Sequence, residues 1–470
     1  MSLISFEFIF FLPIVFTVYW GIPKWYVNAR NIFLVIASYF FYGLIDLRFC
    51  FCLFGISLLT WLTSQSSEKR RKLMTSINII VCLGVLCYFK YLNFFRDSIC
   101  EVFSINNYGG GDLIVPLGLS FYIFMAVSYS IDTNRGLIQK NTSIVDFFAY
   151  ISFFPHLLSG PVDRGRLIIP QLKETKSFDN EQARNGLRQI LSGLFRKVVI
   201  ADNVGLIVNA IWSDYHNLNS INLIIGCVLY SIQIYADFSG YSDIAIGVGK
   251  LFGIKLMQNF HFPYFSKTVS EFWHNWHISL TSWFTEYIYI PLGGNRRGKV
   301  WTIFNTLVVF SLCGLWHGAS WNYVIWGFIC GLMFIPSILY PQIKNRWKNK
   351  PDVVTLSSVG SMFGVFVLIT VSWIFFRAPS LSDATAYIGC IFKNITIPFT
   401  IIDLPMSLWK IWVIVFVAFL TIEWIERKKE FALIGLMRFH KILRWFVYVV
   451  LLLLFFCYRT TTGEFIYQNF

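Results

Sequence analysis

Long apolar runs occupy most of the chain and constrain its fold more than any other feature. Hydrophobic residues make up 56% of the 470 residues and charged residues 14%, which is outside the usual composition of soluble proteins. Twelve runs approach the ~17–25 residues that cross the hydrocarbon of a bilayer. They lie at roughly 6–22, 31–45, 47–63, 75–92, 113–131, 190–212, 220–238, 301–317, 320–340, 358–376, 406–424 and 445–458. The sequence therefore predicts an all-α polytopic membrane protein.

The charge pattern predicts the orientation of these spans. The formal net charge is +14, and the basic residues form short clusters between apolar runs, at 68–72, 295–299 and 426–430. Such clusters favour the cytoplasmic side of a membrane, which places both termini outside. They leave no continuous basic surface for a nucleic acid, so anionic lipid headgroups are the expected partner.

One further run, 144–159, is short and interrupted by Pro155, which predicts a re-entrant or interfacial helix rather than a full crossing. The chain contains no repeat of fixed period and no linker between domains, so we expect a single membrane-embedded domain over residues 1–470. It also lacks zinc, Walker and GxSxG motifs, and we expect no bound metal.

A first polar group lies near the end of the 220–238 run, in the sequence Tyr235-Ala-Asp-Phe-Ser-Gly-Tyr-Ser-Asp243. Carboxylates at membrane depth usually face a bundle interior or a water-filled cavity and mark a functional path. The alternative is an interfacial loop whose Asp residues cap a following helix, 244–252.

A second group is the stretch EFWHNWHISLTSWFTEYIYIPLGGNRRG, from Glu271 to Gly298. Trp273, Trp276, His277 and Leu280 have i, i+3, i+4, i+7 spacing, which predicts one shared helical face. The alternative for the tryptophans is a role as interfacial anchors.

A third group is LWHGASWN, from Leu315 to Asn322. Its histidine, His317, ends an apolar run, and its reference pKa of ~6.5 suits a general base acting on a hydroxyl or thiol. A structural, hydrogen-bonded histidine is the alternative. His156, beside Pro155, is interpreted as functional or structural with no preference.

These residues resemble the membrane-bound O-acyltransferase (MBOAT) family, in particular its bacterial alginate O-acetyltransferase branch. The resemblance rests on VPLGLSFYIFMAVSYSIDTNRG, FFPHLLSGPVDR, QIYADFSGYSDIAIGVGKLFGIKLMQNFHFPYFS, the Glu271–Gly298 stretch and LWHGASWNYVIWG, which occur in family order. It implies a ring of about 11–13 transmembrane and re-entrant helices around a central tunnel. It also implies that His317 is catalytic and that His277, 40 positions earlier, is its partner, at a position where the family has histidine or asparagine.

The resemblance implies roles for further residues. His277 would orient or donate, and other side chains would line the tunnel or bind substrate. These are Asp237, Tyr241, Trp273, Trp276, Ser279, Trp316 and Asn322. The terminal FIYQNF is similar to the family's FIYFQF, which makes Tyr467 a candidate acyl relay, although the residues after the tyrosine differ.

The expected activity is O-acyl transfer across a bacterial cytoplasmic membrane. An acyl group, most simply acetyl from acetyl-CoA as a cytoplasmic thioester, would reach an extracytoplasmic polysaccharide directly or through a partner acetyltransferase, as in alginate biosynthesis. One alternative is D-alanyl transfer from a carrier protein to teichoic acid. A more remote alternative is a transporter of acyl donors or glycans, with the histidines as a proton relay.

Overall fold

The structure is a computed structural model that describes residues 1–104, 113–139, 141–345, 354–399 and 409–459. Within these ranges all regular secondary structure is helical, so the predicted all-α class is confirmed. Every apolar run expected to form a span coincides with a helix in the described residues. Several helices lie outside the predicted runs, among them Gly165–Lys173 and Leu381–Lys393.

The α-helices are α1 (Phe6–Gly21), α2 (Val27–Gly43), α3 (Leu47–Ser64), α4 (Arg71–Leu86), α5 (Leu92–Val102), α6 (Leu119–Asn134), α7 (Ile144–Ser152), α8 (Phe154–Leu157), α9 (Gly165–Lys173), α10 (Asn180–Leu194), α11 (Asp202–Ser213), α12 (Ser220–Leu251), α13 (Val269–Asn275), α14 (Ile278–Phe284), α15 (Lys299–His317), α16 (Trp321–Leu332), α17 (Ile335–Leu339), α18 (Pro341–Asn345), α19 (Leu356–Arg377), α20 (Leu381–Lys393), α21 (Trp409–Glu426) and α22 (Lys441–Cys457). Three π-helical segments, Cys87–Tyr91, Phe195–Ala201 and Thr285–Tyr289, follow α4, α10 and α14 directly.

Six helical segments of the described chain are long and apolar enough to cross a membrane. They are Leu47–Ser64, Arg71–Val102, Ser220–Leu251, Lys299–His317, Trp321–Leu339 and Leu356–Arg377. The first apolar helix, Phe6–Gly21, has 16 residues. The crossings expected beyond these six, and the ring with a central tunnel, stay predictions.

The chain divides into two compact units that are interleaved in sequence. The first contains Met1–Ile190 and Ile244–Met257, and the second contains Leu191–Asp243 and Gln258–Phe470. The expectation of one domain stays a prediction.

In the first unit the 144–159 run is broken, as predicted. Helix α7 ends at Ser152, Phe153 is non-helical, and Pro155 lies in the first turn of α8, where its missing N–H costs nothing. His156 is fully buried and fixes the loop that follows, since its Nε2 lies 2.9 Å from the Tyr150 carbonyl oxygen and its Nδ1 lies 3.1 Å from Asp163.

In the second unit the close packing of α15 against α16 depends on glycine. A Cβ at Gly314 would overlap the carbonyl oxygen of Tyr323, and a Cβ at Gly327 would overlap the carbonyl oxygen of Phe310. Small residues let helix backbones approach closely inside a membrane. This contact fixes the end of α15, which carries His317.

Candidate active site

His317 is the last residue of α15 and is 2% exposed. The chain leaves the helix at Gly318 in an extended conformation. It re-enters helix at α16, where the Ser320 hydroxyl caps the Asn322 N–H. The imidazole is therefore held at a helix end between two packed helices.

His277 lies at a break between two short helices, so the predicted continuous helix over 273–280 is wrong. Helix α13 ends at Asn275, Trp276 is extended, and His277 has φ 43° and ψ 53°, in the left-handed region. Periodicity could not reveal this break because all four residues of the expected face, Trp273, Trp276, His277 and Leu280, are buried regardless.

Hydrogen bonds to Asn259 support the break. The backbone N–H of Ile278 donates to the Asn259 carbonyl oxygen at 2.8 Å, and the Ser279 hydroxyl donates to the Asn259 side-chain oxygen at 2.6 Å. The Asn259 amide in turn donates to the Ser242 hydroxyl at 3.1 Å. Ser279, which the sequence analysis placed at the tunnel, therefore positions the backbone beside His277. The sequence analysis did not predict a role for Asn259.

The structure brings the two histidines together. Their ring centroids are 6.3 Å apart, and the Trp316 ring packs against both, 5.9 Å from His277 and 4.9 Å from His317. Phe238 packs edge-on to His277 at 4.6 Å, while Trp326 packs against His317 at 5.3 Å. Burial among these rings lowers the pKa of His277 to about 3, so its imidazole is neutral at physiological pH.

Two tryptophans of this aromatic cluster carry buried indole N–H groups that have no acceptor within the described residues: Trp273 and Trp326. They are 4% and 1% exposed, and their rings are 6.0 Å apart. A buried donor without an acceptor costs about 1–3 kcal/mol. The cluster thus offers hydrogen-bond donors close to His317 in an apolar environment.

Trp276, which the sequence analysis placed at the tunnel, contacts Trp373, with ring centroids 5.0 Å apart. Trp373 in turn stacks on Trp326, with ring centroids 5.3 Å apart. Trp276 is therefore joined to the cluster through Trp373. These aromatic contacts extend the wall around the histidines well beyond the sequence motif, because Trp373 comes from α19.

Asp237 and Asp243 do not lie in a loop, so the alternative of an interfacial loop whose Asp residues cap a helix over 244–252 is wrong. Both are buried inside the uninterrupted helix α12. Asp237 pairs with Lys197 at 2.6 Å, and Asp243 pairs with Arg196 at 2.7 Å. The two basic residues lie on the π-helical segment Phe195–Ala201.

This ion-pair cluster continues to Glu423 and Asp202, which the sequence analysis did not single out. Arg196 also pairs with Glu423 at 2.6 Å, Tyr235 donates to Glu423 at 2.8 Å, and Lys197 pairs with Asp202 at 2.7 Å. Glu423 lies 227 positions after Arg196, so no local pattern pointed to it. The feature of the sequence that could have pointed to this cluster is the pair Arg196 and Lys197 inside the mainly apolar run 190–212.

The remaining predicted residues have separate positions. Asn322 donates from its amide to the Ala378 carbonyl oxygen at 2.8 Å, which ties α16 to the end of α19. Tyr241 is buried on α12. Tyr467 lies outside the described residues. No group of three or more His, Cys, Asp or Glu in the described ranges is placed to hold a metal ion.

Comparison with known proteins places the chain. The sequence profile of MBOAT, the membrane-bound O-acyltransferase family, matches residues 35–376. The chain belongs to the MBOAT family. It is therefore a multi-pass membrane protein and an O-acyltransferase, and the resemblance seen in the sequence is confirmed.

Several curated MBOAT relatives are similar over most of the chain. The probable alginate O-acetylase AlgI of Pseudomonas putida is 34% identical over 394 residues, which is 82% of this chain and 78% of the relative. The peptidoglycan O-acetyltransferase of Helicobacter pylori is 32% identical over 414 residues, 80% of this chain and 77% of the relative. The teichoic acid D-alanyltransferase of Bacillus subtilis is 30% identical over 259 residues, 51% of this chain and 63% of the relative.

Proposed function

We propose that this chain is an O-acetyltransferase of the bacterial cytoplasmic membrane that acetylates an extracytoplasmic polysaccharide. The acetyl group comes from a cytoplasmic thioester, most simply acetyl-CoA, and reaches the polymer directly or through a partner acetyltransferase. The observation that carries the proposal is the buried pair His277 and His317 inside an aromatic cluster with indole donors. The names of the Pseudomonas and Helicobacter relatives support acetyl as the group and a glycan as the acceptor.

The chemistry follows from what acyl transfer to an oxygen requires. The attacking hydroxyl must lose a proton as its oxygen bonds to the thioester carbonyl, and the carbonyl oxygen gains negative charge before the thiolate leaves. His317 takes that proton and returns it to the leaving sulfur. His277, neutral because of its lowered pKa, orients the reacting groups through a ring N–H.

Developing negative charge on the carbonyl oxygen needs hydrogen-bond donors in a water-poor site. The indole N–H groups of Trp273 and Trp326 are buried and have no acceptor in the described protein. The Trp326 ring packs against His317 at 5.3 Å, and the Trp273 ring packs against Trp326 at 6.0 Å. We assign them this stabilising role. Removing one such donor from an enzyme typically costs about 100- to 1000-fold in kcat.

The test uses purified protein in proteoliposomes with labelled acetyl-CoA outside and the host polysaccharide, with any partner protein, inside. Wild type transfers label to the polymer, whereas His317→Ala at equal folded level does not. His216→Ala is the control, because His216 is exposed in the loop between α11 and α12. Full transfer by His317→Ala would refute its assignment as the base.

Variants of the indoles separate stabilisation of charge from packing. Trp326→Phe keeps an aromatic ring but removes the N–H, and we expect kcat to fall at nearly constant KM. Trp412→Phe is the matched control, since the buried Trp412 N–H donates to the Val199 carbonyl oxygen at 2.9 Å. Equal kcat values for the two variants would contradict the role of Trp326.

D-alanyl transfer is the second candidate, favoured by the similarity to the Bacillus relative. The same vesicles, supplied with labelled D-alanine on its carrier protein and with teichoic acid as acceptor, distinguish the two. Label transferred from the D-alanyl carrier and none from acetyl-CoA would replace acetyl by D-alanyl in the proposal. Transport of label without covalent attachment would refute both.

A further inference from the structure

The second unit contains a cavity of about 360 Å³ that is separate from the histidine pair. It lies among α12, the segment 262–265, α19 and α21. Its volume is within the ~300–1,000 Å³ range of small-molecule sites. Nearly all of its lining is aliphatic or aromatic, so the occupant is apolar where it touches these walls.

The mouth of the cavity opens where a bilayer would be. Val359, Phe363 and Leu420 line it and are 43%, 67% and 40% exposed. The first two belong to α19, which is one of the membrane-spanning candidates. Deeper in the cavity, Met362 and Phe419 are almost completely buried. A lipid chain can therefore enter sideways from the hydrocarbon.

The carboxylate in the lining does not make the cavity acidic. Glu423 accepts hydrogen bonds from the Arg196 guanidinium at 2.6 Å and from the Tyr235 hydroxyl at 2.8 Å. Its oxygens are thus hydrogen-bonded behind the wall, by the guanidinium that Glu423 shares with Asp243, and an uncharged chain can pack against it without leaving the carboxylate unpartnered.

One end of the cavity carries positive charge. Trp424 lines the cavity, and the Arg427 guanidinium lies over its ring at 4.1 Å while donating to its carbonyl oxygen at 2.7 Å. Between residues 426 and 444 the sequence has six Lys or Arg against two Glu. Basic segments next to a span attract the anionic lipids of the cytoplasmic leaflet.

We propose that this cavity binds one acyl chain of an anionic phospholipid, whose phosphate is held at Arg427. The site is independent of the proposed acetyl transfer. Its inner wall includes Tyr235, whose ring centroid lies 5.9 Å from that of Phe260, and the Phe260 ring lies 6.3 Å from the His277 ring, so Phe260 joins the wall of the cavity to His277. The lipid therefore packs behind the wall of the active site and takes no part in the chemistry.

The test measures phospholipid bound to the purified full-length protein by native mass spectrometry, after delipidation and titration with phosphatidylglycerol or phosphatidylcholine. Val359→Trp fills the mouth. Val367→Trp is the matched control, because Val367 is 41% exposed on the same helix and does not line the cavity. We expect Val359→Trp to lose phosphatidylglycerol binding at least tenfold and Val367→Trp to bind like wild type.

The headgroup is tested with Arg427→Gln, compared with Arg444→Gln in the same basic segment. We expect Arg427→Gln to weaken phosphatidylglycerol binding about tenfold, to leave phosphatidylcholine binding unchanged, and Arg444→Gln to match wild type. The proposal is overturned if Val359→Trp retains the lipid, if wild type binds both lipids equally, or if detergent or an isoprenoid lipid displaces phosphatidylglycerol at equal concentration.

Discussion

Replacing Gly314 with alanine tests whether the close contact of α15 and α16 positions His317. The added methyl would overlap the Tyr323 carbonyl oxygen, whereas an ordinary contact for a Cβ begins at 3.4 Å. Because protein interiors are close-packed, the two helices must separate by about 1 Å. Gly314 lies three residues before His317, at the same helix end.

The expected magnitude combines two opposing effects. Alanine in place of a mid-helix glycine stabilises by roughly 0.5–1 kcal/mol, but overpacking of this kind costs about 1–3 kcal/mol. We therefore expect a net loss of up to about 2.5 kcal/mol. A displacement of ~1 Å at a reacting group can lower the rate about 100-fold, so activity per folded molecule should fall much more than stability.

The assay is label transfer from acetyl-CoA in proteoliposomes, normalised to folded protein, together with thermal unfolding in detergent. Gly364→Ala is the control, because no atom lies within 4 Å of the added methyl on that face of α19. We expect the control to keep its activity and to gain slightly in stability. If Gly314→Ala matches Gly364→Ala in both measurements, the packing argument is refuted.

Three further predictions concern buried polar groups. Burial lowers the folded pKa of His277 to about 3 from an unfolded value near 6.5, so stability should fall as pH drops below 6.5, by up to ~1.4 kcal/mol per pH unit. His277→Asn should flatten this slope in thermal unfolding, and an unchanged slope would contradict the assignment. Arg196→Met leaves the carboxylates of both Glu423 and Asp243 without their cation and should cost about 3–5 kcal/mol. Arg196→Met/Glu423→Gln should recover part of this loss. Equal stability of wild type and Arg196→Met would disprove the ion pairing. His156→Phe should cost about 1–3 kcal/mol through its lost hydrogen bonds at unchanged activity per folded molecule, while His317→Asn should abolish activity at unchanged stability; loss of activity in folded His156→Phe would give His156 a functional role.

The sequence was sufficient to predict the long apolar helices because apolar runs of this length have few other stable forms in a membrane. Pro155 was enough to predict the break in the 144–159 run, since proline cannot continue a helix from its interior. The sequence also pointed to His317, because it is a polar residue at the end of an otherwise apolar span.

The sequence could not predict which side chains pair with residues far away along the chain. The spacing of Trp273 and His277 correctly predicted that both are buried. The helix is nevertheless interrupted between them, and Asn259 accepts the hydrogen bonds of Ile278 and Ser279 just after the interruption. The basic partners of Asp237 and Asp243 lie on the segment Phe195–Ala201, so the local sequence could not distinguish a buried helix from the alternative of a loop. Such pairs depend on tertiary packing, which hydrophobic periodicity does not report.

The left-handed backbone at His277 also limits which residues this position can accept. Among residues other than glycine, those enriched at positive φ are asparagine, aspartate and histidine. A β-branched or bulky substitute would strain the backbone whatever its chemistry. The resemblance to the family implies histidine or asparagine at this position, and both belong to the residues that tolerate a positive φ. Backbone geometry alone thus narrows the substitutions open to evolution here, and asparagine is the replacement that removes the titratable ring while leaving the turn intact.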